Sequence, residues 1–291
     1  MREESSARGD EMIPYFELRE IPIPGGHSIA AFGSLVALGI FVGAWFAERR
    51  ARLTGIPPQE IPGAILSAVV PGLLLAHGVA VLPHEDQWRP LVLLEFWNGM
   101  SSFGGLAGAF LGLSVYYWRA RRSWLPTADV LAEALVVGWV FGRLGCTLVH
   151  DHVGRPSEFL LAIRFPDGAR HDLGLDEWLY TILVLVPTVF VLNRAPRASG
   201  TSVAVLALLY GPFRFVADFL RQTDLPGADP RYLGLTGAQY GCLVLIGIGV
   251  ALAMRARLLV VRDGQRPARP RDVLPDVRSP SPPAERRRRR A

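Results

Sequence analysis

Two arginines stand inside long apolar runs, where a charged side chain is unusual. Arg143 occurs in FGRLGC and Arg214 in YGPFRFVADF. A charge in a membrane-spanning helix costs at least about 2.5 kcal/mol, so such residues normally have a functional or pairing role. Because the planar guanidinium group offers several donors, arginine is well suited to bind phosphate. The two residues are therefore predicted to bind an anionic phospholipid headgroup.

The depth of these arginines follows from the helical rise of about 1.5 Å per residue. Arg143 lies about 21 Å along its run from Asp129, and Arg214 about 20 Å from Thr201, by the same rise. We therefore expect both in the outer half of the bilayer. The alternative is that both pair with acids and tie helices together, and Asp218, one turn after Arg214, is an available partner.

Further charges continue the second run. Arg214, Asp218 and Arg221 recur at spacings that place them on one helical stripe. Asp218 can hold Arg214 in position while Arg221 meets headgroups or substrate. For Arg221, a side chain that simply reaches the membrane surface is an equal alternative.

The first run ends in the polar sequence HDH, which is His150, Asp151 and His152. Histidine is a common general base, so His150 or His152 is a possible proton acceptor. A plain polar helix end is the other interpretation. No metal site is expected, because the ligand set is incomplete.

The composition predicts an all-α membrane protein. Half of the 291 residues are hydrophobic, and the mean hydropathy is +0.27. Apolar stretches approach the roughly 17 to 25 residues that cross a bilayer as a helix. We predict seven transmembrane helices, at residues 29–47, 61–82, 100–118, 128–149, 178–193, 201–220 and 235–253.

The arginines that follow alternate stretches predict the orientation. Short cytoplasmic loops are enriched in Lys and Arg, which puts the N-terminus outside and the C-terminus in the cytoplasm. These arginines are Arg49, Arg50, Arg52, Arg119, Arg121, Arg122, Arg194, Arg197, Arg255 and Arg257.

Three regions follow from this topology. Residues 1–28 form an outer N-terminal segment without a signal-peptide core, and residues 29–257 form the seven-span domain. Residues 258–291 form a disordered Arg/Pro-rich cytoplasmic tail. This tail attracts anionic membrane lipids, and no specific nucleic-acid partner is expected. Residues 158–173 are predicted to form a small outer hairpin, because Asp167-Gly168 favours a tight turn.

Several motifs together resemble the prolipoprotein diacylglyceryl transferase family. They are NGMSSFGGLAG (98–108), FGRLG followed by Asp151 and GR (141–155), YGPFRFVADFLRQTD and GAQ (237–239). The resemblance implies an enzyme of the bacterial cytoplasmic (inner) membrane. Such an enzyme transfers the diacylglyceryl group of phosphatidylglycerol to the lipobox cysteine thiol of a prolipoprotein. Glycerol-1-phosphate leaves, and no cofactor is implied.

The resemblance also implies roles for individual residues. Arg143 and Arg214 would bind the phosphate and stabilise its developing charge, and Asp151 matches a signature acid. Asp218 stands where the family usually has glutamate. The implied substrate-binding set is Gly104, Gly105, Gly142, Gly145, Gly154, Asp218, Arg221 and Gln239.

The chain departs from the family at four polar positions. Phe103 stands where the family has histidine, Cys146 replaces asparagine, Phe32 replaces an aromatic hydroxyl, and Asp176-Glu177 replaces a Tyr-Glu pair. A nucleophilic thiol needs a base or a positive environment to form the thiolate, and His150 or His152 is a possible replacement base. If neither acts, Phe103→His should raise activity. An active transferase, an altered or inactive paralogue that binds anionic phospholipid, and a small transporter remain the alternatives.

Overall fold

The fold is a bundle of apolar helices with small sheets in its connections. The structure, a computed structural model, describes residues 12–81, 100–121, 123–225 and 228–264, without the side chains of residues 102–103 and 258–264. The helices are α1 (Ala31–Thr54), α2 (Glu60–Val81), α3 (Ser102–Arg119), α4 (Leu125–Val149), α5 (Leu173–Tyr180), α6 (Val186–Leu192), α7 (Thr201–Ala217) and α8 (Gly237–Gly264). A π-helical turn, Thr181–Leu185, joins α5 to α6.

Six helical segments among the described residues are long and apolar enough to cross a membrane. They are Ala31–Thr54, Glu60–Val81, Leu125–Val149, Leu173–Leu192, Thr201–Leu220 and Gly237–Arg257. The third predicted span does form a helix, α3, but α3 is not among these six. The seven-span count therefore remains a prediction. The last helix continues to Gly264, past the predicted boundary at residue 257, and residues 265–291 of the predicted tail lie outside the description.

The connections contain strands, so the all-α prediction holds only for the helical body. Strands β1 (Ile13–Pro14), β4 (Val153–Pro156), β5 (Ile163–Phe165) and β6 (Gly168–Asp172) form one sheet in the order β1-β5-β6-β4. Strands β2 (Glu20–Ile23) and β3 (His27–Ala30) form a hairpin, as do β7 (Arg231–Tyr232) and β8 (Leu235–Thr236). The hairpin predicted within residues 158–173 is confirmed as β5 and β6.

The N-terminal segment is held against the end of α4. Strand β1 pairs in parallel with β5, and the Leu18 amide donates to the Leu148 carbonyl at 2.8 Å. His150 ends α4 in the left-handed conformation, with φ of 51°. This conformation turns the chain sharply after the helix and leads it into β4.

A buried carboxylate ties three segments together at the opposite end of α4. Glu133 is 1% exposed and pairs with Arg50 of α1 at 2.9 Å and with Arg197 at 3.0 Å. The Ser202 hydroxyl donates to the same carboxylate at 2.6 Å. Two arginines from different predicted cytoplasmic loops thus meet at one residue, which places those loops on one side of the bundle.

Glycines allow α2 and α3 to pack backbone against backbone. A Cβ atom built on Gly108 would lie 2.2 Å from the Pro71 carbonyl oxygen, and one on Gly104 would lie 2.3 Å from that of Leu75. Small residues at such spacing permit close helix approach in membranes. In this contact they leave no space for a side chain.

Gly108→Ala should therefore destabilise the protein, because its methyl group would meet rigid backbone. Overpacking of this kind costs roughly 1–3 kcal/mol. The matched control is Gly247→Ala in α8, where an added Cβ meets nothing within 4 Å. Thermal unfolding in mild detergent should show a lower midpoint for Gly108→Ala only, and equal midpoints for the two variants would contradict the close contact.

Candidate functional site: a buried arginine ladder

The centre of the site is a carboxylate shared by the two predicted arginines. Glu177 of α5 is fully buried and lies 3.0 Å from Nη2 of Arg143 and 3.2 Å from Nε of Arg214. The Tyr210 hydroxyl donates to Oε2 of the same carboxylate at 3.0 Å. The predicted convergence of Arg143 and Arg214 is therefore observed, and the group that joins them is an acid from a third helix.

Both arginines are held deep in the bundle. Arg143 is 4% exposed and Arg214 is 9% exposed. The guanidinium group of Arg143 also lies over the Trp139 ring, 4.7 Å from its centroid, which is a favourable cation–π distance. Helices α4, α5 and α7 thus place two fixed guanidinium groups in surroundings from which water is largely excluded.

The charges continue from Arg214 toward the end of its span. Nη1 of Arg214 lies 2.9 Å from Oδ1 of the fully buried Asp218, and Nε of Arg221 lies 3.5 Å from the same oxygen. Arg221 also pairs with Asp229 at the exposed end. Within the buried part, three guanidinium groups alternate with two carboxylates in the order Arg143, Glu177, Arg214, Asp218, Arg221. We call these five residues the arginine ladder.

The ladder has an unused donor, although its outermost guanidinium group, that of Arg221, is also paired with Asp229. Nε of Arg143 is buried and has no hydrogen-bond partner among the described residues. A buried donor without a partner costs about 1–3 kcal/mol, and an anion bound beside Arg143 would remove that cost. The pairing alternative and the anion-binding prediction are thus compatible, since acids hold the arginines in place and leave the Nε donor of Arg143 unpaired.

Gln239 supports the ladder indirectly, through Thr236. The Thr236 hydroxyl donates to Oδ2 of Asp218, and the backbone N–H of Gln239 donates to Oγ1 of Thr236 at 3.2 Å. The side-chain amide of Gln239 donates to the Phe215 carbonyl at 3.0 Å. Gln239, predicted as a substrate-binding residue, is fully buried and fixes the position of Asp218.

Cys146, Asp151 and His152 form a second group beside the ladder, with ligand atoms all within 4.8 Å of one another. Sulfur of Cys146 accepts from Nη1 of Arg143 at 3.8 Å. Nη2 of Arg221 lies 3.2 Å from Nδ1 of His152. Burial and the nearby guanidinium groups lower the pKa of His152, so its imidazole is neutral near pH 7 and remains a possible proton acceptor.

His150 has a different environment. Its Nδ1 lies 2.5 Å from Oδ2 of Asp172, and its Nε2 lies 2.8 Å from the Phe16 carbonyl. Burial opposes its charge, but these contacts raise the pKa of His150 above its usual value. With both ring nitrogens engaged, His150 is better placed to fasten the N-terminal segment than to accept a proton from a substrate.

The predicted glycines divide between the site and the helix contacts. Gly154 pairs with Arg221 as an isolated β-bridge and has His171 and Leu220 too close for a side chain. Gly145 lies against Phe32 of α1, whereas Gly142 has open space around it. Gly104 and Gly105 face α2 rather than the ladder. The side chain of Phe103 is not among those that the structure describes.

The model of the prolipoprotein diacylglyceryl transferase family matches residues 20–255 of the chain. The chain belongs to this family. The match includes the whole ladder and the Cys146, Asp151 and His152 group, so the residues described above lie within the transferase domain.

Curated relatives carry the name phosphatidylglycerol–prolipoprotein diacylglyceryl transferase. The protein of Nitratidesulfovibrio vulgaris strain Miyazaki F is 30% identical over 236 residues, which is 78% of this chain and 89% of the relative. That of Idiomarina loihiensis is 33% identical over 186 residues, 62% and 70% of the two chains. That of Chromohalobacter salexigens is 27% identical over 271 residues, 88% and 99% of the two.

Sequence reasoning missed Glu177 as a site residue of this transferase-family chain. Glu177 was noted only as part of a departure from the family's Tyr-Glu pair. Its signal was weak, because the fifth span was predicted to begin at residue 178, which placed this acid just outside the membrane, where a charge needs no partner. Tyr210 and Trp139 carried no such signal, since aromatic residues are ordinary in apolar helices.

Proposed function

We propose that the chain transfers the diacylglyceryl group of phosphatidylglycerol to the lipobox cysteine of prolipoproteins. The thiolate sulfur attacks the glyceryl carbon next to the phosphate and forms a C–S bond. The C–O bond to the phosphate breaks, and glycerol-1-phosphate leaves with the electron pair. The observation that carries this proposal is the arginine ladder with the buried Nε donor of Arg143, which has no partner among the described residues, in a chain of this transferase family.

The ladder can bind the substrate phosphate and also stabilise the charge that develops on it during the reaction. The phosphodiester of phosphatidylglycerol is a monoanion, and its oxygens can accept from the buried Nε of Arg143. As the C–O bond breaks, a second negative charge develops on the phosphate. Preorganised donors in a site of low dielectric stabilise such developing charge strongly, and Arg143 and Arg214 are already held in position by Glu177.

We further propose the topology in which this reaction takes place. Residues 1–28 lie outside, residues 29–257 cross the bacterial cytoplasmic (inner) membrane seven times, and residues 258–291 lie in the cytoplasm. The shared contact of Arg50 and Arg197 with Glu133 supports a common side for two arginine-rich loops. Labelling of a cysteine introduced in the tail from outside intact cells would contradict this orientation.

The second candidate is a paralogue that binds anionic phospholipid without efficient transfer. Phe103 stands at the family's histidine position and cannot take a proton. This candidate predicts binding of phosphatidylglycerol without a lipidated product. The transporter alternative is set aside, because the chain belongs to a transferase family.

The decisive test incubates purified full-length protein with phosphatidylglycerol and a lipobox peptide. A peptide that gains the mass of a diacylglyceryl group, with release of glycerol-1-phosphate, is the expected result. The control peptide has serine in place of cysteine and should stay unmodified. Binding of phosphatidylglycerol without product would favour the paralogue, and neither binding nor product would contradict both candidates.

Within this site, Arg214→Ala should weaken phosphatidylglycerol binding more than Arg221→Ala. Arg214 is buried and contacts Glu177 and Asp218, whereas the Arg221 side chain is 18% exposed and also pairs with the exposed Asp229. Titration of each detergent-solubilised variant with phosphatidylglycerol gives the comparison. Equal losses for the two variants would argue against a headgroup position beside Arg214.

A further inference from the structure

A histidine and an aspartate form a pair where the outer sheet meets α5. Nδ1 of His171 in β6 lies 3.7 Å from Oδ2 of Asp176 in the first turn of α5, and both side chains are largely buried. Nδ1 is buried and has no hydrogen-bond partner among the described residues. Hydrogen bonds of catalytic groups are often long in the absence of substrate and tighten when it binds. The pair therefore has the arrangement of a carboxylate that orients an imidazole.

Gly154 brings this pair close to the Arg221 end of the ladder. A Cβ atom built on Gly154 would lie 2.6 Å from Cβ of His171 and 2.9 Å from the carbonyl oxygen that precedes Arg221. The backbone of Arg221 also pairs with Gly154 as an isolated β-bridge. Asp176 directly precedes Glu177, whose carboxylate joins the two buried arginines. The pair therefore lies next to residues of the ladder.

The imidazole can be reached from the surface of the sheet. The Phe159 ring packs beside the His171 ring, with centroids 5.9 Å apart and planes tilted by 34°. Phe159 itself is 54% exposed. A peptide that contacts this apolar residue therefore comes close to the histidine.

His150 and His152 are less suited to accept a proton from a thiol. His150 has both ring nitrogens engaged. Nδ1 of His152 lies 3.2 Å from Nη2 of Arg221, and burial together with the nearby arginines lowers the pKa of His152 to about 3. So weak a base removes a proton inefficiently from a thiol with a pKa of about 8.5. Burial also lowers the pKa of His171 and keeps it neutral near pH 7, but its charged neighbour is a carboxylate.

We propose that Nε2 of His171, oriented by Asp176, accepts the proton of the lipobox thiol. Asp176 can accept only from a protonated Nδ1, which leaves the lone pair on Nε2. Asp176 stands where the family has tyrosine, and Phe103 stands where it has histidine. The first departure gives a carboxylate partner to His171, and the second removes another histidine, so the two compensate. This proposal rests on the proposed transferase function for its substrate.

The proton transfer precedes the displacement at carbon. The thiol gives its proton to Nε2 of His171, and the Asp176 carboxylate stabilises the imidazolium that forms. The thiolate sulfur attacks the glyceryl carbon and forms the C–S bond. The C–O bond breaks, and glycerol-1-phosphate leaves with the electron pair. The imidazolium then gives the proton to water, so no oxidant or reductant is needed.

Initial rates of lipidation test the base directly, with full-length protein, phosphatidylglycerol and a lipobox peptide. His171→Ala should lower the rate at least about 10²-fold, the usual contribution of a positioned base. Added imidazole should raise the rate of this variant about tenfold and leave the wild-type rate unchanged, because a small base can enter the space of the lost ring. His171→Gln keeps much of the side-chain volume and should show the same loss without rescue. The control His27→Ala, which removes an exposed histidine of β3, should keep the wild-type rate.

Asp176 acts through His171 and is tested as a positioning residue. Asp176→Asn should lower the rate about 10- to 10²-fold, because the amide neither fixes the tautomer of the imidazole nor stabilises the imidazolium. Asp176→Glu keeps a carboxylate and should recover most of this loss. Titration with phosphatidylglycerol should show unchanged affinity in every variant, since the proposed phosphate contacts come from Arg143 and Arg214.

The outcomes separate this proposal from the transferase function. A folded His171→Ala that keeps the wild-type rate, or a lost rate that imidazole cannot raise, would overturn the base and leave the transferase proposal standing. Loss of phosphatidylglycerol affinity in parallel with the rate would also overturn it, by assigning His171 a structural role. Equal rates for Asp176→Asn and Asp176→Glu would overturn the orienting role. A wild type that binds phosphatidylglycerol but never lipidates the peptide would contradict the transferase function, and the base with it.

Discussion

Arg143→Ala should lower the rate of peptide lipidation about 10²- to 10³-fold, the loss typical when one donor to a developing negative charge is removed. Nε of Arg143 is a buried donor that has no hydrogen-bond partner within the described part of the chain. Its loss removes both a charge and a fixed direction of hydrogen bonding. The measurement is the initial rate of lipidation at saturating phosphatidylglycerol.

Two further variants serve as controls for the Arg143→Ala result. Arg143→Lys keeps the charge but loses the planar fork of donors, so an intermediate rate is expected. Arg52→Ala removes an exposed arginine that pairs with Glu48 at 3.6 Å, and it should leave the rate unchanged. If Arg143→Ala remains folded and retains the wild-type rate, the phosphate does not bind beside Arg143.

Glu177→Gln should destabilise the protein by about 3–5 kcal/mol, the usual result of removing one partner from a buried ion pair. Its carboxylate is fully buried and pairs with both Arg143 and Arg214. Glutamine keeps the shape but leaves two guanidinium groups facing each other without an intervening charge. Unfolding in mixed detergent micelles would measure the change.

The charge explanation can be separated from simple loss of packing. Arg143→Gln combined with Glu177→Gln restores the balance of the ladder, so the double variant should be more stable than the sum of the single changes predicts. Glu48→Gln, which changes an exposed glutamate, serves as the control and should have little effect. Strict additivity of the two ladder changes would show that their charges are not coupled.

Much of the helical body could be predicted from the sequence because span formation depends on local properties. Runs of apolar residues indicate helices wherever they occur, and six candidate spans overlap predicted ones. The β5–β6 hairpin was likewise signalled by Asp167-Gly168. Arg143 and Arg214 stood out because a charge in an apolar run needs a partner or a ligand, whatever the rest of the fold may be.

Only the tertiary structure decided which groups meet. Glu177 is distant in sequence from both arginines, and helix packing alone brings its carboxylate between them. Cys146 became a neighbour of His152 through the turn at His150, and Gly104 was placed against α2 instead of the ladder. Local patterns specify helices and strands. Which group pairs with a buried charge, and which backbone a glycine packs against, depend on how complete helices pack together.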